Sequence, residues 1–130
     1  MIAFELRMLG LSVLLGLVHV VAASHSASLQ RGYRWTASAR DQPLAPLLGA
    51  AGRLARALDN FSETFPFFAT LVLAVVLAGK NNQLSQWGAG LYFAARVLYL
   101  PLYAFGIPLI RSLVWNVAAL GIVLLLVALL

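Results

Sequence analysis

The chain has no cysteine and few charged residues. Among its 130 residues only 10% are Asp, Glu, Lys or Arg, and histidine occurs twice, at His19 and His25. The lack of cysteine excludes disulfides, thiolate metal sites and a catalytic thiol supplied by the chain itself. So few charges exclude an ordinary soluble domain, in which about a quarter of the residues are charged. With two histidines and no cysteine, we predict no metal site.

Hydrophobic residues predominate in the chain. Hydrophobic residues make up 62% of the chain, and the mean hydropathy is +0.92. A helix needs about 20 apolar residues to cross a bilayer, so 130 residues suffice for four spans and little else. We therefore predict a single all-α domain over residues 1–130, an integral membrane four-helix bundle. The predicted spans are residues 3–23, 61–79, 87–105 and 109–130, with a loop at about 30–50.

The basic residues predict the orientation of these spans. The net charge is +5, and five of the 9 basic residues lie between Arg31 and Arg56, in the long loop and the helix after it. Basic loops of membrane proteins face the cytoplasm, so we expect both termini outside, most simply in a bacterial inner membrane. Such a loop contacts anionic lipid headgroups, and we do not expect nucleic acid as a partner.

Four polar residues share one face of the helix that leads into the second span. They are spaced by 3, 4 and 3 residues, which keeps them within an arc of about 80°. The four are Arg53, Arg56, Asn60 and Glu63. Ionisable groups in lipid cost some ~2.5–3.5 kcal/mol each, so they usually face a protein interior and mark a site.

The third span carries a second polar stripe with spacings of 4, 3 and 4 residues. It consists of Tyr92, Arg96, Tyr99 and Tyr103. Arg96 lies about nine residues from either end of its span and needs an anionic partner or a wet cavity. Glu63 is the expected partner, and a purely structural buried pair is the alternative. The tyrosines also have an alternative role, as anchors at the membrane interface.

Arg111 and Ser112 open the fourth span, just after Pro108. Free backbone N–H groups, the helix dipole, a guanidinium and a hydroxyl coincide there and form an anion site suited to a carboxylate, phosphate or thiolate. A thiol held there has a lowered pKa and is a better nucleophile. An ordinary basic helix start is the alternative. Because the groups from three helices gather at one end, the pattern favours a polar pocket.

Together these motifs resemble the MAPEG family, the membrane-associated proteins in eicosanoid and glutathione metabolism, and most closely its short bacterial branch. The resemblance rests on Arg53-x-x-Arg56-Ala-x-x-Asn60-x-x-Glu63-Thr-Phe-Pro66, Ala95-Arg96-Val-x-Tyr99 with Tyr103, and Arg111-Ser112. It implies a homotrimer with glutathione in a cytoplasm-facing cleft between subunits. The chemistry it implies is transfer to a hydrophobic electrophile or reduction of a lipid hydroperoxide.

The resemblance also implies a role for each stripe. Arg111 and Ser112 would lie beside the sulfur as catalytic residues, and the remaining polar residues would bind glutathione. These cofactor-binding residues are Arg53, Arg56, Asn60, Glu63, Arg96, Tyr99 and Tyr103. The chain departs from glutathione-using relatives at Leu58 and Asp59, where they typically have histidine followed by a basic or polar residue.

Two other functions remain compatible with the sequence. One is a non-catalytic MAPEG-like protein that binds lipid or a partner membrane protein. The other is a small multidrug transporter of similar size, which requires an acidic residue deep in the first span. Glu5 lies near the end of that span, which disfavours the transporter.

Overall fold

Five helices account for nearly all of the chain, and no strand is present. The computed structural model describes residues 1–130. The helices are α1 (Phe4–Arg31), α2 (Tyr33–Ala37), α3 (Gly49–Leu77), α4 (Gln83–Ala104) and α5 (Pro108–Leu129). The all-helical prediction is therefore confirmed. Helix α1 continues past the predicted span, and α2 lies within the region predicted as a loop.

Local sequence signals explain where these helices begin and end. Gly32 stops α1 with a φ of 94°, a conformation that glycine adopts without strain. Asn82 caps α4, because its side chain accepts from the backbone N–H of Ser85 while the Ser85 hydroxyl accepts from the backbone N–H of Asn82. Pro108 opens α5, since the first turn of a helix does not use that N–H.

The four long helices alternate in direction, and contacts at both ends fix their arrangement. At one end, which we call the turn end, Lys80 Nζ donates to the carbonyl of Leu129 at 2.8 Å. At the other, the loop end, Arg53 Nε donates to the carbonyl of Ala104 at 2.7 Å. Helices α3 and α4 each contact the other long helices, whereas α1 and α5 do not touch each other. The central pair therefore determines what any interior site contains.

The hydrophobic core lies between α3, α4 and α5. The rings of Phe68 and Tyr92 stack with centroids 4.0 Å apart, and Leu125 is fully buried beside them. Gly88 of α4 and Gly121 of α5 bring the two backbones together. A Cβ atom built on Gly121 would lie 2.6 Å from the Gly88 carbonyl oxygen. Small residues at such positions allow close helix contact, on which helix association in membranes depends.

Helix α1 is apolar outside and polar inside. Its buried residues include Glu5, Ser12, His19 and Ser28, whereas Leu14 and Leu17 are more than half exposed. The Ser85 hydroxyl of α4 donates to the Glu5 carboxylate. This polarity is the reverse of a soluble helix and fits a helix surrounded by lipid.

His19 is buried, packed against an aromatic ring and hydrogen-bonded. Its Nδ1 donates to the Leu15 carbonyl at 2.9 Å. The ring stacks on Phe61 with centroids 4.7 Å apart. His19 therefore joins α1 to α3 and is not placed as a metal ligand.

Three helices are long and apolar enough to cross a membrane, namely α1, α3 and α5. Helix α4 is as long as α5, at 22 residues, but contains more polar residues. Among them are Ser85, Tyr92 and Arg96, which are all buried. The more polar composition of α4 therefore comes in part from groups that face the protein.

The contact between Gly88 and Gly121 yields a prediction about stability. Gly121→Ala should destabilise the folded protein by about 1–3 kcal/mol, because the new methyl group meets backbone atoms that cannot move aside. Gly10→Ala is the control, since nothing lies within 4 Å of a Cβ at that position. Thermal unfolding in detergent measures both variants, and an unchanged midpoint for Gly121→Ala would contradict the close approach.

Candidate functional site

A buried arginine joins the two polar stripes. Arg96 has no exposed surface, and its Nη1 donates to the side-chain oxygen of Asn60 at 2.8 Å. Asn60 belongs to the α3 stripe and Arg96 to the α4 stripe. The structure thus brings together the two faces that the sequence predicts to meet.

Aromatic rings supply most of the remaining environment of Arg96. Its guanidinium carbon lies 4.4 Å from the ring centre of Tyr99 and 5.4 Å from that of Phe61. Such cation–π contacts contribute about 0.5–2 kcal/mol each, depending on desolvation. Nε and Nη2 are buried and have no hydrogen-bond partner in the chain. Arg96 is therefore a buried cation whose charge no carboxylate neutralises.

Glu63 is not the partner of Arg96, and that expected pair is wrong for the single chain. The Glu63 side chain is exposed, and Asn60 occupies the hydrogen-bonding position instead. The reason is the angular position of Glu63 around the axis of α3. Phe61 is buried and marks the inward face of α3, and Glu63 follows it by two residues, about 200° around the helix.

A small polar cavity lies between α3, α4 and α5, beside Arg96. Its volume is about 220 Å³. The lining residues are Asn60, Tyr99, Arg111, Ser112, Trp115 and Asn116. Four of these are predicted site residues, contributed by all three helices. We call this cavity the polar cleft.

Tyr99 and Tyr103 connect the two arginines of the site. Their rings meet edge to face with centroids 5.5 Å apart. Arg96 lies over Tyr99, and the Arg111 guanidinium lies 4.5 Å from the ring centre of Tyr103. The stripe on α4 therefore forms an aromatic wall with a cation against each ring. This wall orients both guanidinium groups without neutralising either of them.

Ser112 directs its hydroxyl toward its own helix. Its Oγ donates to the Pro108 carbonyl at 3.2 Å, and the side-chain nitrogen of Asn116 donates to the Ser112 carbonyl at 2.9 Å. The hydroxyl oxygen keeps its lone pairs, so in this conformation Ser112 offers an acceptor to the cleft. Arg111 and the start of α5 supply the positive charge.

Five of the nine predicted site residues do not line the polar cleft: Glu63, which faces outward, Arg96 and Tyr103, which lie against Tyr99, and Arg53 and Arg56. Arg53 donates to the carbonyl of Ala104 at the end of α4, where free carbonyls and the helix dipole attract a cation. Arg56 is exposed at the loop end. In the single chain, Arg53 therefore stabilises a helix end and Arg56 faces the surroundings.

Trp115 and Asn116 line the cleft although neither belongs to a predicted polar stripe. The indole Nε1 of Trp115 is buried without a partner. Asn116 follows Ser112 by four residues, so the two share a helix face in an otherwise apolar segment. That four-residue spacing was the sequence signal that could have identified Asn116 as a site residue. No sequence pattern identified Trp115.

Comparison with known proteins agrees with these observations. The model of the MAPEG family matches residues 8–130, nearly the whole chain. The chain belongs to the MAPEG family. A search of curated proteins finds no match. The apolar helices and the family together make this MAPEG protein an integral membrane protein.

The hydrogen bond between Arg96 and Asn60 should dominate the stability of the site. Asn60→Leu removes the partner of a buried cation and should cost about 1.5–3 kcal/mol. The double variant Asn60→Leu/Arg96→Met replaces both groups with apolar ones and should recover most of that loss. Thermal unfolding in detergent measures the stability of the wild type, of each single variant and of the double variant.

The control for this cycle is Leu14→Ala, at an exposed position on α1. It should leave the unfolding midpoint unchanged. If the two single changes at Asn60 and Arg96 simply add in the double variant, the two side chains are not coupled and the hydrogen bond does not stabilise the site.

Proposed function

We propose that this MAPEG protein is a glutathione-dependent transferase or peroxidase that acts on hydrophobic electrophiles or lipid hydroperoxides. In this proposal α1, α3, α4 and α5 form a four-helix bundle, and α4 is the third of four spans. The loop end faces the cytoplasm of a bacterial inner membrane, in accordance with the positive-inside rule. Glutathione enters the polar cleft from that side.

The observation that carries the proposal is the pair of cations beside the cleft. Arg111 lines it directly, and Arg96 lies immediately behind Asn60 and Tyr99. Neither arginine has a carboxylate partner in the chain. A buried cation is costly until it is paired, so the site favours an anion. Glutathione fits, because it carries two carboxylates and an amine beside its thiol.

The chain's own residues determine what a bound anion experiences. Glutathione supplies the thiol, which the cysteine-free chain lacks. Arg111 and the positive end of the α5 dipole stabilise negative charge on sulfur, which favours the thiolate at neutral pH. Asn60 and Tyr99 provide polar contacts on the opposite wall. Apolar helix surfaces around the cleft suit a second substrate that arrives from the lipid.

The size of the cleft supports a site completed by a neighbouring subunit. Its 220 Å³ is below the roughly 300–1,000 Å³ typical of ligand sites. Ser62, Glu63 and Asn116 are also exposed on otherwise apolar helices, where lipid contact is unfavourable. A second copy of the chain against these faces would enlarge the cleft and cover the polar groups. The trimer of the family satisfies both requirements.

Trimerisation predicts a mass. The purified protein in detergent should give a detergent-corrected protein mass of three chains of 14.0 kDa, by multi-angle light scattering. Glu63→Leu tests whether the exposed face of α3 that carries Glu63 is the contact between subunits, because the change removes a polar group from that proposed boundary. Leu14→Ala, on the exposed face of α1, is the control. A wild-type mass of one or two chains would exclude a cleft shared among three subunits.

Glutathione binding tests the proposed activity directly. Calorimetry with millimolar glutathione should detect binding to the wild type. Arg111→Ala should weaken binding about 10- to 100-fold, as expected for a charge-assisted contact of about 1.5–3 kcal/mol. Arg7→Gln is the matched control, since Arg7 is exposed at the turn end and far from the cleft.

Asp59→Asn should change the affinity in the opposite direction. Asp59 is exposed and adjoins Asn60, so its carboxylate repels the carboxylates of glutathione. Removing that charge should strengthen glutathione binding about five-fold, which corresponds to ~1 kcal/mol of binding free energy. If the wild type does not bind glutathione at millimolar concentration, the transferase or peroxidase assignment is wrong.

A further inference from the structure

Two arginines lie against one tryptophan at the end of α1, and a third arginine lines the cavity beside it. The guanidinium carbon of Arg31 lies 5.2 Å from the Trp35 ring centre, and that of Arg40 lies 5.7 Å away. Arg34 precedes Trp35 on the short helix α2. We call these residues, Arg31, Arg34, Trp35 and Arg40, the basic cluster. It is separate from the polar cleft, and the proposed activity does not use it.

Local hydrogen bonds hold the cluster in shape. Trp35 Nε1 donates to the Gln42 carbonyl at 3.3 Å, and Arg40 Nε donates to the Thr36 carbonyl at 3.0 Å. Arg40 has a φ of 59°, the only positive value outside glycine in this chain. A non-glycine residue in that conformation costs free energy, so surrounding contacts must hold it there. The turn directs the Arg40 side chain back over Trp35.

The cluster encloses a cavity with positive charge. The cavity measures about 430 Å³ and is lined by Arg34, Trp35, Ser38, Ala39, Arg40, Asp41 and Gln42. Two of the lining residues are arginines and one, Asp41, is acidic; Arg31 lies against Trp35 outside this lining, and with it the group carries a net charge of +2. Arg31 Nε is buried and has no partner in the chain. These are the features of a site for a phosphate group.

The length of α1 places the cluster at the depth of lipid headgroups. A helix of 28 residues is about 42 Å long, whereas the hydrocarbon core of a bilayer is about 30 Å thick. If α1 begins at one interface, its last turns extend past the other. Leu29 and Tyr33 are exposed beside the cluster, 76% and 52% respectively, and offer apolar surface to acyl chains. Tryptophan and tyrosine are common at this depth.

We propose that the basic cluster binds the phosphate of an anionic phospholipid in the leaflet at the loop end. The guanidinium groups of Arg34 and Arg40 contact the phosphodiester, Arg31 supports it from α1, and the exposed apolar residues contact the acyl chains. A free phosphate shares the charge but not the apolar contacts. The depth of the cluster and those contacts favour the lipid.

Native mass spectrometry of the full chain in detergent tests this assignment. Phosphatidylglycerol should bind in preference to phosphatidylcholine from an equimolar mixture. Arg40→Asn should reduce that preference about five-fold, since each basic residue near the surface contributes about that factor. Asparagine is chosen because it tolerates a positive φ. Arg34→Gln should have a similar effect without changing the turn.

The control is Arg7→Gln, which removes one exposed positive charge at the turn end. It should keep the wild-type preference for phosphatidylglycerol. Equal losses in Arg7→Gln and in the two cluster variants would mean that net charge, and not the cluster, attracts the lipid. Displacement of the lipid by millimolar inorganic phosphate would show a site for free phosphate. Either result overturns the proposal, as would an unchanged preference in both cluster variants.

Discussion

Arg96 carries its charge at a position with no exposed surface, and much of the surrounding structure follows from that. Its one hydrogen bond goes to Asn60, and the rings of Phe61 and Tyr99 cover the guanidinium. These contacts bind α3 to α4, the two helices that touch all the other long helices. Two of the residues that accommodate the charge, Asn60 and Tyr99, also line the polar cleft. Stability and the proposed anion binding thus depend on one side chain.

The arrangement also explains why the site is built from neutral partners. A carboxylate beside Arg96 would neutralise it and remove its attraction for an external anion. An amide oxygen and aromatic rings orient the guanidinium but leave its charge in place. The Arg111 guanidinium likewise lies against an aromatic ring, that of Tyr103, and keeps its charge. The cleft therefore keeps a positive potential that a more stable, fully paired site would lose.

Hydropathy and periodicity predicted the four long helices and part of the site, but not α2 or the full length of α1. Spacings of three and four residues placed Asn60, Arg96 and Tyr99 on facing surfaces, and the structure brings them together. The Glu63 pairing was wrong because a stripe of about 80° runs from the edge of α3, at Asn60, to its outward face, at Glu63. Arg53 instead binds the C-terminal end of α4, because the free carbonyl groups there attract a guanidinium. Trp115 was missed because, on an almost wholly apolar helix, periodicity does not identify the inward face.

The buried polar face of α1 has a consequence for how the protein is made. Glu5 and Ser85, which contact each other in the folded chain, are 80 residues apart. At about 5–20 residues per second, a ribosome needs about 4–16 s to synthesise that interval. During this time the partners of the polar face of α1 do not yet exist. Its exposed Leu and Val residues favour insertion into the bilayer, and its polar residues are paired only after α3 and α4 have been made.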